Sequence, residues 1–274
     1  MKRLLAIVTT LVALALAPAA ARANIEAWEA SFNAGLEAEV HGDLAAAETA
    51  YKNAIREAEK IQKQDARPLV FAMNKLASVY RMQNQPNKAE PIYKKARDIV
   101  DKVFGGDPVS AATTLMGLAQ TYQAQSRFKD AEDMYKRVLE IDTRTLPATD
   151  PRRARAMLGL ADVYRGQGQL PRGAELYMKS LGVLEKMLGN GHRDLVEPLL
   201  GLALLGVTSG QSGQAERIFK RIITIQEKTL GPQHCELGRT LQAFSPLLRL
   251  DNEDDQAEEW EQRAAAIMVN CGGG

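Results

Sequence analysis

Apolar residues recur at intervals of three and four along most of the chain, in stripes separated by short polar breaks. In residues 111–150 one stripe contains Leu115 and Leu118, and a second stripe, after a polar break, contains Tyr135 and Val138. This spacing puts the apolar residues on one face of an α-helix. The pattern therefore predicts two amphipathic helices joined by a tight turn. Neither helix can bury its apolar face alone, so the pair must pack on neighbouring pairs.

The same unit occurs six times, and equivalent positions are 42 residues apart. The break between the two helices mostly carries residues that accept a left-handed or turn backbone at low cost. These break positions are Gly42, Asn84, Ser126, Gly168, Gly210 and Asn252. A large residue recurs in the second helix, as Tyr51, Tyr93, Tyr135, Tyr177, Phe219 and Glu261. The regular register predicts a helical repeat array.

At these positions the sequence resembles the tetratricopeptide repeat (TPR) family, whose first helix carries a large residue, a small residue and then Tyr. Examples are Leu118-Ala119 with Tyr122 and Leu160-Ala161 with Tyr164. The long period resembles the kinesin-light-chain type of this repeat. The resemblance implies an all-α fold, a right-handed α-solenoid of about six tandem helix-turn-helix repeats. We expect it over residues 24–269, with repeats near 28–66, 67–108, 109–150, 151–192, 193–234 and 235–269, and a flexible tail at 270–274.

The first 23 residues have a different composition from the repeats. Lys2 and Arg3 precede an apolar run at residues 4–17, and an Ala-Arg-Ala site ends at Ala23. These are the three parts of a secretory signal peptide. We therefore expect cleavage after Ala23 and an exported, periplasmic protein with no stable membrane insertion. An uncleaved anchor is the alternative, disfavoured because a spanning helix needs about 20 apolar residues.

Charge and aromatic residues exclude some classes of partner. The formal net charge is only +1, so nothing favours a nucleic acid or an anionic membrane as partner. All seven tyrosines occupy one of the two aromatic positions of the repeat. None remains for a stacking platform that would bind nucleic-acid bases. We expect no nucleic-acid partner.

Export would place the two cysteines in an oxidising compartment. Cys235 and Cys271 fall at the start of the first helix and just past the end of the second helix in the sixth repeat. In an antiparallel helix pair these two ends are neighbours, so a disulfide is sterically reasonable. Closing this loop would contribute about 3–4 kcal/mol in the chain-entropy model. Two unpaired thiols are the alternative.

No constellation of residues supports catalysis or a cofactor. His192 and His234 stand at equivalent repeat boundaries, and no spacing supplies the further ligands that a metal would need. We interpret both as helix-start residues. Gly-rich pieces such as residues 165–168 have no preceding strand and no following Gly-Lys-Ser/Thr, so they are turns rather than phosphate loops. We expect a protein that is not an enzyme and that uses no metal and no cofactor.

The TPR resemblance implies that the first helices line a concave groove for a protein or peptide partner. Two interpretations of its apolar C-terminal part stay open: a binding pocket, or a surface covered by the sixth repeat, where Pro246 should kink or shorten the helix. The main hypothesis is a scaffold for protein–protein interaction in an envelope assembly or secretion pathway. The alternative is a carrier for a hydrophobic small molecule in the apolar C-terminal part of the groove. The groove candidates are Phe71, Asn74, Arg81, Met116, Gln120, Gln123, Arg155, Asp162, Arg165, Leu200 and Leu204.

Overall fold

The computed structural model describes residues 19–61, 63, 65–103, 107–250 and 254–271. All regular structure in these residues is helical, which confirms the all-α repeat fold. None of the helices in the described ranges is long and apolar enough to cross a membrane. The twelve α-helices found there form six consecutive pairs: α1 (Ala19–Val40) and α2 (Leu44–Ile61), α3 (Arg67–Met82) and α4 (Pro86–Val103), α5 (Pro108–Ala124) and α6 (Phe128–Thr145), α7 (Pro151–Gly166) and α8 (Leu170–Leu188), α9 (Val196–Thr208) and α10 (Ser212–Leu230), α11 (Cys235–Leu250) and α12 (Asp254–Val269).

Two predicted segments are only partly described. Residues 1–18 of the predicted signal peptide lie outside the described residues, and α1 begins at Ala19 and continues past the predicted cleavage site. Residues 272–274 of the predicted tail also lie outside them, whereas Asn270 and Cys271 form a turn after α12.

The chain divides into two compact units, Met1–Val138 and Leu139–Gly274. Within each unit every complete helix packs on the next one along the chain. In the first unit α3 also packs on α5, and in the second unit α7 also packs on α9. Within each unit these two first helices therefore lie side by side, and their outer residues share one face.

The turns between paired helices have the backbone that the sequence predicts. Gly42, Asn84, Ser126, Gly168 and Gly210 all have φ between 57° and 74°. At each turn the next residue donates its N–H to the carbonyl five residues back, for example Arg127 to Tyr122 at 2.9 Å and Gln169 to Tyr164 at 2.8 Å. This is the Schellman arrangement, which satisfies carbonyls that a helix end leaves unpaired. The sixth predicted turn residue, Asn252, lies outside the described residues.

Tyrosine rings from the second helices fill notches at glycines in the first helices. Tyr93 on α4 lies over Gly117 on α5, and Tyr177 on α8 lies over Gly201 on α9. A methyl group at either glycine would overlap the ring. Tyr177 is fully buried. Each contact thus joins the second helix of one pair to the first helix of the following pair.

In the first unit, a hydrogen bond between a glutamate on a second helix and a glutamine at the end of the following first helix occurs twice. Glu48 on α2 accepts from Gln83 at 3.1 Å, and Glu90 on α4 accepts from Gln125 at 3.0 Å. Partial burial opposes ionisation of Glu90. Hydrogen bonds from Lys94, Gln125 and Arg127 prevail and lower its pKa to about 2. The hydrogen bond therefore joins a carboxylate on a second helix to the C-terminal end of the next first helix.

The last two helix pairs share an aromatic core. Phe219 and Phe244 stack with ring centroids 4.3 Å apart, and Trp260 packs on Phe244 at 4.9 Å. Cys235 and Cys271 form a disulfide with Cα atoms 5.7 Å apart. The bond joins the start of α11 to the turn after α12.

Proline 246 does not shorten α11, contrary to one of the two effects predicted for it. The helix continues through Pro246 to Leu250. A proline nitrogen cannot donate to the carbonyl four residues back, which belongs to Gln242. The Ser245 hydroxyl donates to that carbonyl at 3.4 Å. A neighbouring side chain thus partly replaces the missing backbone bond.

The tyrosine notch predicts opposite effects for two glycine-to-alanine substitutions in the second unit. Gly201→Ala should lower the free energy of unfolding by about 1–2 kcal/mol, because overpacking against Tyr177 outweighs the gain in helix propensity. Gly182→Ala should raise it by about 0.5–1 kcal/mol, because Gly182 lies inside α8 with no atom near its missing side chain. Urea unfolding followed by circular dichroism measures both. Equal effects of the two substitutions would contradict the notch.

Candidate partner-binding face

The predicted groove residues all lie on first helices. We call their surface the first-helix face; it comprises residues of α3 and α5 in the first unit and of α7 and α9 in the second. Successive residues of this set on one helix are three, four or seven positions apart, which places them on one side of that helix. The two parts of the face are described separately: Phe71, Asn74, Arg81, Met116, Gln120 and Gln123 in the first unit, and Arg155, Asp162, Arg165, Leu200 and Leu204 in the second.

Polar residues of the first unit bind one another across the two adjacent first helices. Asn74 is only 8% exposed and donates its Nδ2 to the Thr114 hydroxyl at 3.0 Å. Arg81 donates to the Gln120 side-chain oxygen at 2.5 Å. One donor of Asn74 and one of Arg81 are therefore used between α3 and α5, whereas the buried Asn74 Oδ1 has no hydrogen-bond partner among the described residues. A partner would have to displace these bonds to use the two donors.

A second set of face residues is held by the tyrosines of their own helix pairs. The Tyr135 hydroxyl donates to the Gln123 side-chain oxygen at 2.9 Å. In the second unit the Tyr177 hydroxyl donates to Asp162, and Arg165 donates to the Tyr177 oxygen at 3.3 Å. Burial and the Asp162 carboxylate raise the pKa of Tyr177, so the phenol stays protonated and can donate. Arg165 and Asp162 also form an ion pair at 3.4 Å.

Apolar side chains are exposed on both parts of the face. Phe71 is 45% exposed in the first unit, and Leu200 and Leu204 are 36% and 38% exposed in the second. The sixth helix pair therefore leaves more than a third of each leucine open. Arg155, on the neighbouring first helix, is exposed and makes no hydrogen bond to another described residue. Met116 is half-buried.

A cleft of about 350 Å³ adjoins the apolar part of this face in the second unit. Leu200 lines it, together with residues that the sequence analysis did not single out. Among them, Glu197 occupies the position one repeat after Arg155, so the 42-residue register could have found it. Gln226 comes from a second helix, and no rule about first-helix positions points to it. The lining residues are Arg193, Asp194, Val196, Glu197, Leu200, Gln226, Thr229, Leu230 and Glu236.

Partial desolvation raises the pKa of Glu197, and repulsion from Asp162 and Asp194 adds to this effect. Attraction from Arg155 opposes it. Glu197 makes no hydrogen bond to another described residue. The negative charge of Glu197 is therefore only partly balanced by Arg155.

Two histidines have the structural role that the sequence predicts. The backbone N–H of Asp194 donates to Nδ1 of His192, and that of Glu236 donates to Nδ1 of His234, both at 3.2 Å. Each imidazole therefore caps the start of a helical segment. In the described part of the chain no group of three or more His, Cys, Asp or Glu side chains is arranged to hold a metal ion.

The sequence profile of the family described as Tetratricopeptide repeat matches residues 69–144 and 152–228. These segments make up more than half of the chain. Together with the paired helices, Schellman turns and first-helix face, this match shows that the chain belongs to the tetratricopeptide repeat family. No functionally curated protein matches the sequence.

Solved structures with a similar fold come from several organisms. BtubC (BKLC) from P. vanneervenii has a TM-score of 0.73 at 19% identity, covering 84% of this chain and 93% of that one. A putative kinesin light chain with TPR-like repeats from Podosopora anserina has a TM-score of 0.63 at 22% identity, covering 75% and 97%. Pseudomonas aeruginosa pilF has a TM-score of 0.60 at 19% identity, covering 87% and 90%. At these identities the similarity shows the fold alone.

The buried position of Asn74 predicts a structural role that a double-mutant cycle can measure. We expect a coupling free energy of about 1 kcal/mol between Asn74→Ala and Thr114→Ala, because one buried hydrogen bond joins the two side chains. The control pair is Asn74→Ala with Thr113→Ala, since Thr113 is exposed and bonds within its own helix. Denaturant unfolding of the single and double variants provides the values. Equal coupling in both pairs would contradict this role.

Proposed function

We propose that this protein is an exported, periplasmic TPR scaffold that binds a segment of another protein on the first-helix face of its second unit. We propose further that this interaction serves an envelope assembly or secretion pathway. The observation that carries the proposal is the exposure of Leu200 and Leu204 on that face. Exposed apolar side chains rimmed by polar ones are typical of protein interaction sites.

The chemistry around the leucines fits a peptide segment. Leu200 and Leu204 are one helical turn apart and can contact two apolar side chains of a bound segment. Arg155 is exposed and has no hydrogen-bond partner among the described residues, so it can bind carboxylates or backbone carbonyls. In the first unit Asn74, Arg81 and Gln120 are engaged with neighbours. We therefore assign the main contact to the second unit rather than to the whole predicted groove.

The alternative is a carrier that holds a hydrophobic small molecule near Leu200. Leu200 and Leu204 favour it, since they offer apolar area. The lining of the adjoining cleft counts against it, because Arg193, Glu197 and Glu236 are charged. Burying charges beside a lipid-like ligand is unfavourable. Native mass spectrometry that detects a bound hydrophobic molecule would favour the carrier.

The proposal of export rests on the predicted signal peptide and is supported by the disulfide. A bond between Cys235 and Cys271 would persist in an oxidising compartment. The intact mass of the protein purified from its cells without reductant tests both points. We expect a chain beginning at Asn24 with no thiol that alkylates before reduction. A chain that retains residues 1–23 would contradict cleavage of the signal peptide, and two free thiols would contradict the disulfide in an oxidising compartment.

In-cell photo-crosslinking tests the partner-binding face. A photo-reactive residue at Leu204 should capture one protein, which should then bind the purified scaffold. The matched control is the same residue at Met178, which is 57% exposed but lies on α8, a second helix. We expect no capture there. The proposal fails if position 204 captures nothing or the same proteins as position 178.

A further inference from the structure

The cleft beside Leu200 contains a buried hydrogen-bond acceptor that has no donor partner. Gln226 lines it and is only 3% exposed, and its side-chain oxygen has no hydrogen-bond partner among the described residues. A buried acceptor without a partner is unfavourable, because it has lost its hydrogen bonds to water. A ligand that supplied a donor would remove this cost. This unpartnered oxygen is therefore a reason, independent of charge, to expect a ligand.

Charge in the cleft selects the kind of donor. Asp194, Glu197 and Glu236 contribute three carboxylates to the lining, against the one guanidinium of Arg193. The three acids come from three segments: the 3₁₀ turn Arg193–Leu195, α9 and α11. Carboxylates and an amide oxygen accept hydrogen bonds, whereas an ammonium or guanidinium group only donates them. The lining thus matches a cation that carries several N–H donors.

Apart from Thr229, the remaining lining is apolar and suits the stem of such a group. Val196, Leu200 and Leu230 contribute aliphatic side chains to the same cleft. Lysine and arginine bury their aliphatic stems against apolar surface while their charged ends contact polar groups. A cleft of about 350 Å³ lies within the usual range for small ligand sites. A single basic side chain is well within its capacity.

We propose that this cleft binds a lysine or arginine side chain of the segment that occupies the first-helix face. The proposal rests on the proposed function, since Leu200 belongs both to that face and to the cleft. A segment lying over Leu204 reaches Leu200 within one helical turn, about 5.4 Å. The partner segment therefore carries a basic residue next to its apolar anchor.

Nuclear magnetic resonance with a small probe tests the cleft without the partner. The probe is N-acetyl-lysine N-methylamide, titrated into the full mature chain at constant ionic strength. The readout is the side-chain amide resonance of Gln226, assigned by its loss in Gln226→Met. We expect a saturable shift with millimolar affinity. N-acetyl-norleucine N-methylamide, which has the stem without the charge, should bind at least fivefold more weakly.

Two variants separate the cleft from general charge effects. Glu197→Gln should weaken binding of the lysine probe at least threefold, because it removes one of the carboxylates that line the cleft. Glu259→Gln removes the same charge from an exposed position on α12 and should leave the affinity unchanged. The inference is overturned if the lysine probe causes no saturable shift, if norleucine binds equally well, or if both variants act alike.

Two further results distinguish a site for a partner's basic side chain from a site for free polyamines, and separate this inference from the proposed function. Putrescine that binds more than tenfold tighter than the lysine probe would indicate a site for free polyamines and overturn the assignment to a partner side chain. Capture of a partner at position 204 without binding of the lysine probe would leave the proposed function standing and remove only the basic side chain. Binding of the probe without capture would overturn the proposed function, and with it the assignment to a partner side chain, and would leave only a cleft that binds a basic group.

Discussion

The packing of a second-helix tyrosine against the following first helix is the contact on which each unit depends. Tyr93 over Gly117 and Tyr177 over Gly201 bring successive pairs together at a distance that only a glycine allows. The hydroxyl group of such a tyrosine also reaches the first-helix face, where Tyr177 binds Asp162 and Arg165. One side chain therefore sets the spacing between pairs and fixes the polar residues of the face.

This dual role explains why most polar residues of the first-helix face are poor candidates for partner contacts. Arg165 is held by Tyr177 and Asp162, and Arg81 by Gln120. Displacing such bonds would offset much of what a partner gains from new ones. Exposed apolar side chains have no such competition. Under the proposed function, specific recognition then falls to Leu200 and Leu204 and to the acceptor-rich cleft beside them.

Local residue type predicted much of the fold. Gly168 and Ser126 mark turns because the left-handed backbone restricts which residues fit, and the apolar stripes mark the buried helix faces because their period matches the helix. The cleft could not be predicted in this way. Its lining combines residues of α9, α10 and α11 with residues of the 3₁₀ turn before α9. Whether the Gln226 oxygen finds a donor depends on how side chains from these separate segments pack. Hydrogen bonds such as Asn74 to Thr114 likewise depend on side chains of two different helices.

We propose that the partner segment is bound by exposed apolar residues of the second unit and not by the polar residues of the first. The most direct measurement is calorimetric titration of the purified partner segment into the wild-type chain, Leu204→Ser and Gln120→Ala. We expect a loss of affinity of about tenfold or more for Leu204→Ser, as for an apolar anchor at an interface, and a change within about twofold for Gln120→Ala. Unchanged affinity of Leu204→Ser, or an equal loss in Gln120→Ala, would contradict this proposal.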